Sequence, residues 1–127
     1  VPYLIGPGAL EQSQRYFSGY SKIIVLVDEN VRRYCLDIFQ KYLPDLQLAG
    51  VIEIASGEIN KNIQTASYIW NQLTELQADR NSLLINLGGG VITDIGGFTA
   101  ATFKRGIDFI NIPTTLLGQV DAAIGGK

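Results

Sequence analysis

The sequence predicts an α/β protein in which a Rossmann-like parallel sheet carries helices on both faces. Short apolar runs alternate with longer segments whose apolar residues recur at helical spacing, and this alternation is typical of a parallel sheet. The short run that ends at residue 27 is apolar from residue 23 onward, as expected of a strand covered on both sides. Apolar residues make up 46% of the 127 residues, which is enough for one domain with a buried core.

Four strands are predicted, and each is a short apolar run rich in β-branched residues. They cover residues 22–27, 51–55, 82–87 and 107–112. Glycine or polar residues follow each run, as expected where a strand ends.

The remaining segments predict helices at residues 9–18, 31–43, 60–77 and 94–104, with a further helix over residues 116–124. Gly19, Pro44 and Gly106 follow three of these helices and are typical of helix ends. Helical spacing predicts a buried face in two of them, formed by Val31, Cys35, Ile38 and Tyr42 in one and by Ile63, Ala66, Trp70 and Leu73 in the other. Inside a helix, Gly96 and Gly97 each cost about 1 kcal/mol relative to alanine. We interpret this pair as a place of close helix–strand packing.

Composition excludes several classes of function. The net charge of −2 and a pI near 5.0, with no basic patch, argue against a nucleic-acid or membrane-surface partner. No apolar run approaches the roughly 20 residues of a membrane span, and the start of the chain shows no secretory signal. Cys35 is the only cysteine, which suits a reducing cytoplasm, and we expect it to be a small buried hydrophobe. Because the chain has no histidine, it cannot by itself form a His-based zinc site or use a histidine as acid or base.

Polar and glycine residues cluster where the predicted strands end. In open α/β sheets, ligands bind beyond the carboxyl ends of the strands, so these residues predict a binding site at one edge of the sheet. The four groups are Asp28 with Asn30, Ser56 with Gly57 and Glu58, Gly88–Gly90, and Thr114 with Thr115.

The glycine triplet at residues 88–90 follows an apolar strand and precedes a helix. Glycines there let backbone N–H groups approach a pyrophosphate at a helix N-terminus, although a tight turn that needs positive φ would also explain them. Asp94 then serves either as an acceptor for a ligand hydroxyl or as an acid in the first turn of the helix.

Other candidates have equally open alternatives. Arg105 either holds a phosphate or belongs to an ordinary basic helix end. Asp121 lies on an apolar segment, where it recognises a ligand hydroxyl, pairs with Lys127 or acts as a backbone cap. Thr114 or Thr115 caps a helix, which leaves the other free for a ligand. Glu58 with Lys61 contacts ribose hydroxyls or forms a solvated ion pair.

Two segments resemble the 3-dehydroquinate synthase family. GGGVITDIGGF is similar to the family's GGGVxxDxxGF, and FKRGIDFINIPTTLLGQVDAAIGGK is similar to its RGxxxxxxPTTLLxxVDxxxGGK. The resemblance covers essentially the whole chain but only the amino-terminal half of the family's enzymes. It implies that residues 1–127 are a truncated NAD-binding domain. The family's helical carboxyl-terminal domain, with the ligands of a zinc or cobalt ion, would lie outside this chain.

The resemblance also implies roles for residues. NAD would be bound by Asp28, Asn30, Ser56, Gly57, Glu58, Lys61, Gly89, Gly90, Val91, Asp94, Thr114, Thr115, Leu117 and Lys127. The substrate would be contacted by Asp121, Lys127 and Arg105, with Arg105 supplied by the neighbouring subunit of a homodimer. No metal ligand is expected in this chain.

The implied activity of the parent enzyme is conversion of a C7 sugar-acid phosphate, DAHP, to 3-dehydroquinate with release of phosphate. This lyase reaction belongs to the shikimate pathway of aromatic amino acid biosynthesis. A related sugar-phosphate cyclase and a nucleotide-binding module without chemistry are the alternatives, and the fragment alone is expected to be inactive. One departure from the family pattern is Ala122-Ala123, where the family often has two serines after the aspartate.

Overall fold

A computed structural model describes residues 17–118 and confirms the Rossmann-like α/β class. Its strands are β1 (Ile23–Asp28), β2 (Gly50–Ile54), β3 (Leu83–Leu87) and β4 (Asp108–Ile112). All three strand pairings are parallel, and the order across the sheet is β2-β1-β3-β4. All four predicted strands are therefore confirmed, with boundaries shifted by one residue at most ends.

The strand order changes direction at β1. From β1 the chain moves outward to β2, and it then crosses back to β3 and β4 on the other side. Val25 of β1 lies beside Val51 of β2 and beside Ile85 of β3, so β1 is central and buried. A doubly wound sheet has its ligand crevice at such a switch point, here between the carboxyl ends of β1 and β3.

Four α-helices connect the strands. They are α1 (Glu29–Tyr34), α2 (Leu36–Tyr42), α3 (Ile63–Glu75) and α4 (Gly90–Thr102), and short 3₁₀ turns cover Glu58–Asn60 and Phe103–Arg105. Of the predicted helix at residues 9–18, only residues 17 and 18 are described, and they form a turn. The part of the last predicted helix beyond residue 118 lies outside the described residues. The remaining helix predictions are confirmed as elements, although their boundaries differ.

Two boundaries differ for local reasons. The single helix expected at 31–43 is divided at Cys35, whose φ of −121° and ψ of −26° depart from helical values. The helix expected from residue 94 begins at Gly90, because Gly89 adopts the extended conformation of an N-cap and the helix then packs on the sheet. Tertiary packing outweighs the low helix propensity of glycine here.

The helices cover the sheet on both faces, as predicted. On one face, α1 and α2 pack against side chains of β1 and β3, and the buried residues include Val25, Val27, Val31, Leu36, Phe39, Leu83 and Ile85. On the other face, α3 and α4 pack against the alternate side chains, including Ile24, Leu26, Ile52, Ile69, Leu73, Leu84 and Ile95. No helix among residues 17–118 is both long and apolar enough to cross a membrane.

The predicted buried faces are only partly correct. Ile63 is 55% exposed because α3 begins there, at the rim of the sheet, and Ile69 is buried in its helix instead. In α2, Leu36 and Phe39 are buried, whereas Ile38 is half-buried. Cys35 is also half-buried rather than buried. Burial, together with the nearby Asp28 carboxylate, raises the pKa of the Cys35 thiol.

Candidate functional site

All four strand ends converge on one edge of the sheet within the described residues. Because the strands are parallel, their carboxyl ends lie side by side. The loop after β2 lies at one side, Asp28 at the end of β1 comes next, then the glycine segment after β3, and then the Thr114 segment after β4. We call this edge the carboxyl rim.

The polar residues at the end of β1 have two different structural roles. Asp28 caps α1, because its Oδ1 accepts a hydrogen bond from the backbone N–H of Val31 at 2.8 Å. Glu29 reaches sideways to the loop after β2, where its two carboxylate oxygens accept from the backbone N–H and the hydroxyl of Ser56 at 2.7 and 2.6 Å. Asn30 Nδ2 lies 3.4 Å from Ser56 Oγ, a long hydrogen bond.

The loop after β2 is compact because it is closed by its own hydrogen bonds. Gly57 has a φ of 109°, a conformation that favours glycine. The Asn60 side chain donates to the carbonyl oxygen of Ser56 at 2.9 Å, and the Asn60 backbone N–H donates to that of Gly57 at 3.0 Å. This closure sets where Glu58 and Lys61 stand at the rim.

Lys61 joins the loop after β2 to the helix after β3. Its Nζ lies 2.9 Å from Glu58 Oε1 and 3.3 Å from Asp94 Oδ2. The Glu58 carboxylate, and after it Asp94, raises the pKa of the Lys61 ammonium group. The three side chains are exposed, so the network contributes little stability and remains accessible to a ligand.

The glycines after β3 are there for different reasons. A Cβ on Gly88 would lie 2.8 Å from the side chain of Ile92, so packing explains this glycine. A Cβ on Gly89 or Gly90 would meet nothing within 4 Å. None of the three has a positive φ, which rules out the turn that we held as the alternative. Gly89 and Gly90 therefore leave open space at the N-terminus of the 13-residue helix α4.

The segment after β4 is partly exposed. Helical structure begins at Thr114, two residues earlier than predicted, and Leu116 N–H donates to the carbonyl oxygen of Pro113 at 3.0 Å. Thr114 is half-buried and Thr115 is exposed. The Leu117 side chain is only 1% exposed and packs in the core on the α1 and α2 side of the sheet, rather than at the open rim.

Arg105 lies away from the other candidates. It follows α4 and precedes β4, whose first residue Asp108 pairs with Leu83 at the start of β3. It therefore lies at the amino-terminal edge of the sheet, opposite the carboxyl rim. Lys104 and Arg105 both have positive φ, 48° and 69°, which is a strained conformation for residues other than glycine. Asp121 and Lys127 lie outside the described residues.

An open groove of about 440 Å³ adjoins the carboxyl rim. It lies between the start of α3 and α4, and it is lined by Lys61, Asn62, Ile63, Ala66, Asp94, Ile95 and Phe98. A larger cavity of about 640 Å³ lies at the opposite edge, near Phe17, Tyr20 and the loop before β2. That cavity contains none of the candidate residues, so the groove at the rim is the better site.

Sequence reasoning missed some of the residues at the rim. Glu29, which lies between the candidates Asp28 and Asn30, and Phe98, which is 49% exposed at the groove, were not among the predicted site residues. The only sequence evidence for Glu29 was its place at a strand end. Among residues 17–118, no group of three or more His, Cys, Asp or Glu side chains could hold a metal ion.

The fold is a Rossmann-like domain that solved synthase structures share. One similar solved structure is a 2-deoxy-scyllo-inosose synthase complexed with carbaglucose-6-phosphate, NAD⁺ and Co²⁺, with a TM-score of 0.77 and 24% identity. The match covers 87% of this chain and 31% of that one. Another is a 2-epi-5-epi-valiolone synthase from Streptomyces hygroscopicus subsp. jinggangensis with NAD⁺ and Zn²⁺ bound. Its TM-score is 0.72 at 25% identity, and the match covers 96% of this chain and 35% of that one.

The chain belongs to the 3-dehydroquinate synthase family. The model of the amino-terminal part of 3-dehydroquinate synthase matches residues 51–127. The chain is 49% identical over 108 residues to the 3-dehydroquinate synthase of Parabacteroides distasonis, a match that covers 85% of this chain and 30% of that protein. It is 44% identical over 114 residues to the 3-dehydroquinate synthase of Clostridium acetobutylicum, and that match covers 89% of this chain and 32% of that protein. The chain thus spans about a third of the length of the relatives it matches.

Proposed function

We propose that this chain is the NAD-binding amino-terminal domain of a 3-dehydroquinate synthase. The parent enzyme would convert DAHP to 3-dehydroquinate with release of phosphate, in the shikimate pathway of aromatic amino acid biosynthesis. Family membership supports the reaction, since the named relatives are 3-dehydroquinate synthases. A cytoplasmic location is part of the proposal.

The observation that carries the NAD-binding proposal is the open space at Gly89 and Gly90. Neither packing nor backbone conformation requires glycine at these two positions. Their backbone atoms are exposed at the N-terminus of a long helix, where N–H groups and the helix dipole favour an anion. The pyrophosphate of NAD is such an anion, and the rim has a groove beside it.

The neighbouring residues have the chemistry that the rest of the cofactor needs. Glu58 is exposed and can accept hydrogen bonds from the hydroxyls of the adenosine ribose, while Lys61 keeps its charge balanced. Val91 and Asp94, on the first turns of α4, would contact the nicotinamide ribose, with Thr114 and Thr115 at the neighbouring strand end. The Leu117 side chain is buried in the core, so Leu117 would contribute to this site only through its main chain. Asp28 and Asn30 would meet the adenosine end. NAD, when bound, supplies a transient hydride acceptor for the substrate alcohol.

The substrate side of the site needs more than the described residues. Asp121 and Lys127 would face the substrate ring and its anionic groups. The position of Arg105 at the opposite edge of the sheet supports a homodimer in which this arginine reaches the partner's substrate phosphate. A zinc or cobalt ion would be held by ligands outside this chain.

The test is an assay of the full-length enzyme. Phosphate release from DAHP should require NAD and a divalent metal, and a chelator should abolish it. Full turnover without metal would contradict the proposal. Hexose and heptose phosphates are the matched control substrates, because turnover of one of these in place of DAHP would identify a related cyclase. NAD binding without turnover of any of the three would identify a binding module without chemistry.

A further inference from the structure

We propose that Glu29 is a positioning residue of the NAD site, which holds the loop after β2 in the geometry that presents Glu58 and Lys61. This inference rests on the proposed function, because it assigns Glu29 a task toward the cofactor. Glu29 itself would touch neither the cofactor nor the substrate.

The Glu29 carboxylate accepts two hydrogen bonds from Ser56, one from its backbone and one from its side chain. Glu29 Oε2 accepts from the Ser56 backbone N–H at 2.7 Å, and Glu29 Oε1 accepts from the Ser56 hydroxyl at 2.6 Å. Both bonds involve an ionised acceptor and are short, as expected of strong hydrogen bonds. The Glu29 carboxylate thus constrains both the main chain and the side chain of Ser56. The Ser56 hydroxyl also lowers the pKa of the Glu29 carboxyl, which keeps the acceptor charged.

From Ser56 the constraint continues through the loop. Asn60 donates to the Ser56 carbonyl oxygen at 2.9 Å, and the backbone N–H of Lys61 donates to the Glu58 carbonyl oxygen at 3.0 Å. Lys61 then reaches Asp94 on the other side of the switch point. A displacement of Ser56 would therefore move both members of the Glu58–Lys61 pair.

Glu29 also determines whether the Ser56 hydroxyl can donate a hydrogen bond to a ligand or can only accept one. A serine hydroxyl has one proton, and here that proton is donated to Glu29. Toward any other group, Ser56 Oγ can only accept, as it does from Asn30 Nδ2 at 3.4 Å. Ser56 would thus accept from a ribose hydroxyl and would not donate to a phosphate oxygen.

The experiment compares Glu29→Ala and Glu29→Gln with the control Glu53→Gln in the full-length enzyme. Glu53 is exposed on β2 and pairs with Arg32 of α1 at 3.5 Å, so it links α1 to β2 without touching the loop that follows β2. The measurements are the Kd for NAD, kcat at saturating NAD, and amide hydrogen exchange of residues 56–61 without NAD.

For Glu29→Ala we expect NAD affinity to fall about tenfold, since two charge-assisted hydrogen bonds are lost. Exchange of the Ser56 amide should accelerate, and kcat at saturating NAD should stay within about twofold. Glu29→Gln should recover part of the affinity, because its amide oxygen still accepts from the Ser56 N–H. Glu53→Gln should change none of these quantities.

Two results would overturn the inference in distinguishable ways. If Glu29→Ala leaves NAD affinity and Ser56 exchange unchanged while Asp94→Ala weakens binding, the site stands and Glu29 has no positioning role. If neither Asp94→Ala nor Gly90→Val affects NAD binding, the site assignment itself fails. Should Glu29→Ala not fold, Glu29→Gln still tests the role, and wild-type NAD affinity together with wild-type exchange of the Ser56 amide in that variant would refute it.

Discussion

Gly96 of α4 lies directly against the side chain of Asn86 in β3. A Cβ on Gly96 would overlap the Asn86 amide group. Asn86 is fully buried; its Nδ2 donates to Asn111 Oδ1 at 3.0 Å, and its own Oδ1, which faces Gly96, has no donor among the described residues. The absence of a side chain at position 96 therefore sets how closely α4 approaches the sheet, and with it where the rim end of α4 stands.

Gly96→Ala should destabilise the protein by about 1 to 3 kcal/mol, the usual cost of overpacking, even though alanine favours a helix by about 1 kcal/mol. The measurement is the urea midpoint. Gly97→Ala is the matched control, because its Cβ would make an ordinary 3.5 Å contact with the Phe109 ring, and its stability should be unchanged or slightly higher. Adding Asn86→Ala to Gly96→Ala should restore part of the loss. Equal midpoints for the two glycine variants would contradict the contact.

Gly90→Val should weaken NAD binding in the full-length enzyme by at least about tenfold while the protein still folds. A Cβ at this position would meet nothing within 4 Å in the free protein, yet the valine side chain would occupy the space assigned to the pyrophosphate. Gly88→Ala should instead lower stability and leave NAD affinity unchanged, because its Cβ would press on the side chain of Ile92. Calorimetric titration with NAD, paired with urea unfolding, separates the two effects. Unaltered affinity in Gly90→Val would remove the main support for the site.

Asp94→Ala should weaken NAD binding more than Cys35→Ala does, with little change in the free energy of unfolding. Its ion pair with Lys61 is exposed and should contribute little to stability. Cys35 is half-buried at the break between α1 and α2, away from the groove, and serves as the control. Equal NAD affinities in the two variants would exclude a cofactor role for Asp94.

Stability should fall as the pH rises above about 10, and Tyr20 should contribute to this fall. Partial burial, and then the Asp108 carboxylate that accepts from its hydroxyl at 2.7 Å, raises the pKa of Tyr20 to about 12. Between these values the folded protein retains a proton that the unfolded chain, with a pKa of about 10, has lost. The contribution is thus complete below pH 10 and is lost toward pH 12.

Urea midpoints between about pH 9 and about pH 11 measure this effect. The urea midpoint of Tyr20→Phe should be lower than that of the wild type at about pH 9, and it should decrease less steeply as the pH rises. In Asp108→Asn the urea midpoint should still decrease as the pH rises, but less than in the wild type, because the partial burial of Tyr20 remains. A decline of the same slope in Tyr20→Phe would show that the phenol is not responsible.

Much of the fold followed from local sequence patterns. Residues 23–27 are apolar at every position, as expected of a strand covered on both sides. The division of the helix at Cys35 and the early start of α4 at Gly90 could not be predicted in this way. Both depend on how the helix meets the sheet, which local propensity does not describe.

The sequence alone determined the alternation of strands and helices, and therefore that Asp28, Gly57, Gly89 and Thr114 share one edge of the sheet. The tertiary structure decided which side chains meet there: Glu29 with Ser56, Lys61 with Asp94, and Gly96 with Asn86. Periodicity depends on neighbours a few residues apart, so it is visible in the chain itself. The first two contacts join residues from different strand–helix units, so they depend on strand order and register, which exist only once the sheet has formed. The third depends on how closely α4 packs back onto β3, which periodicity does not describe.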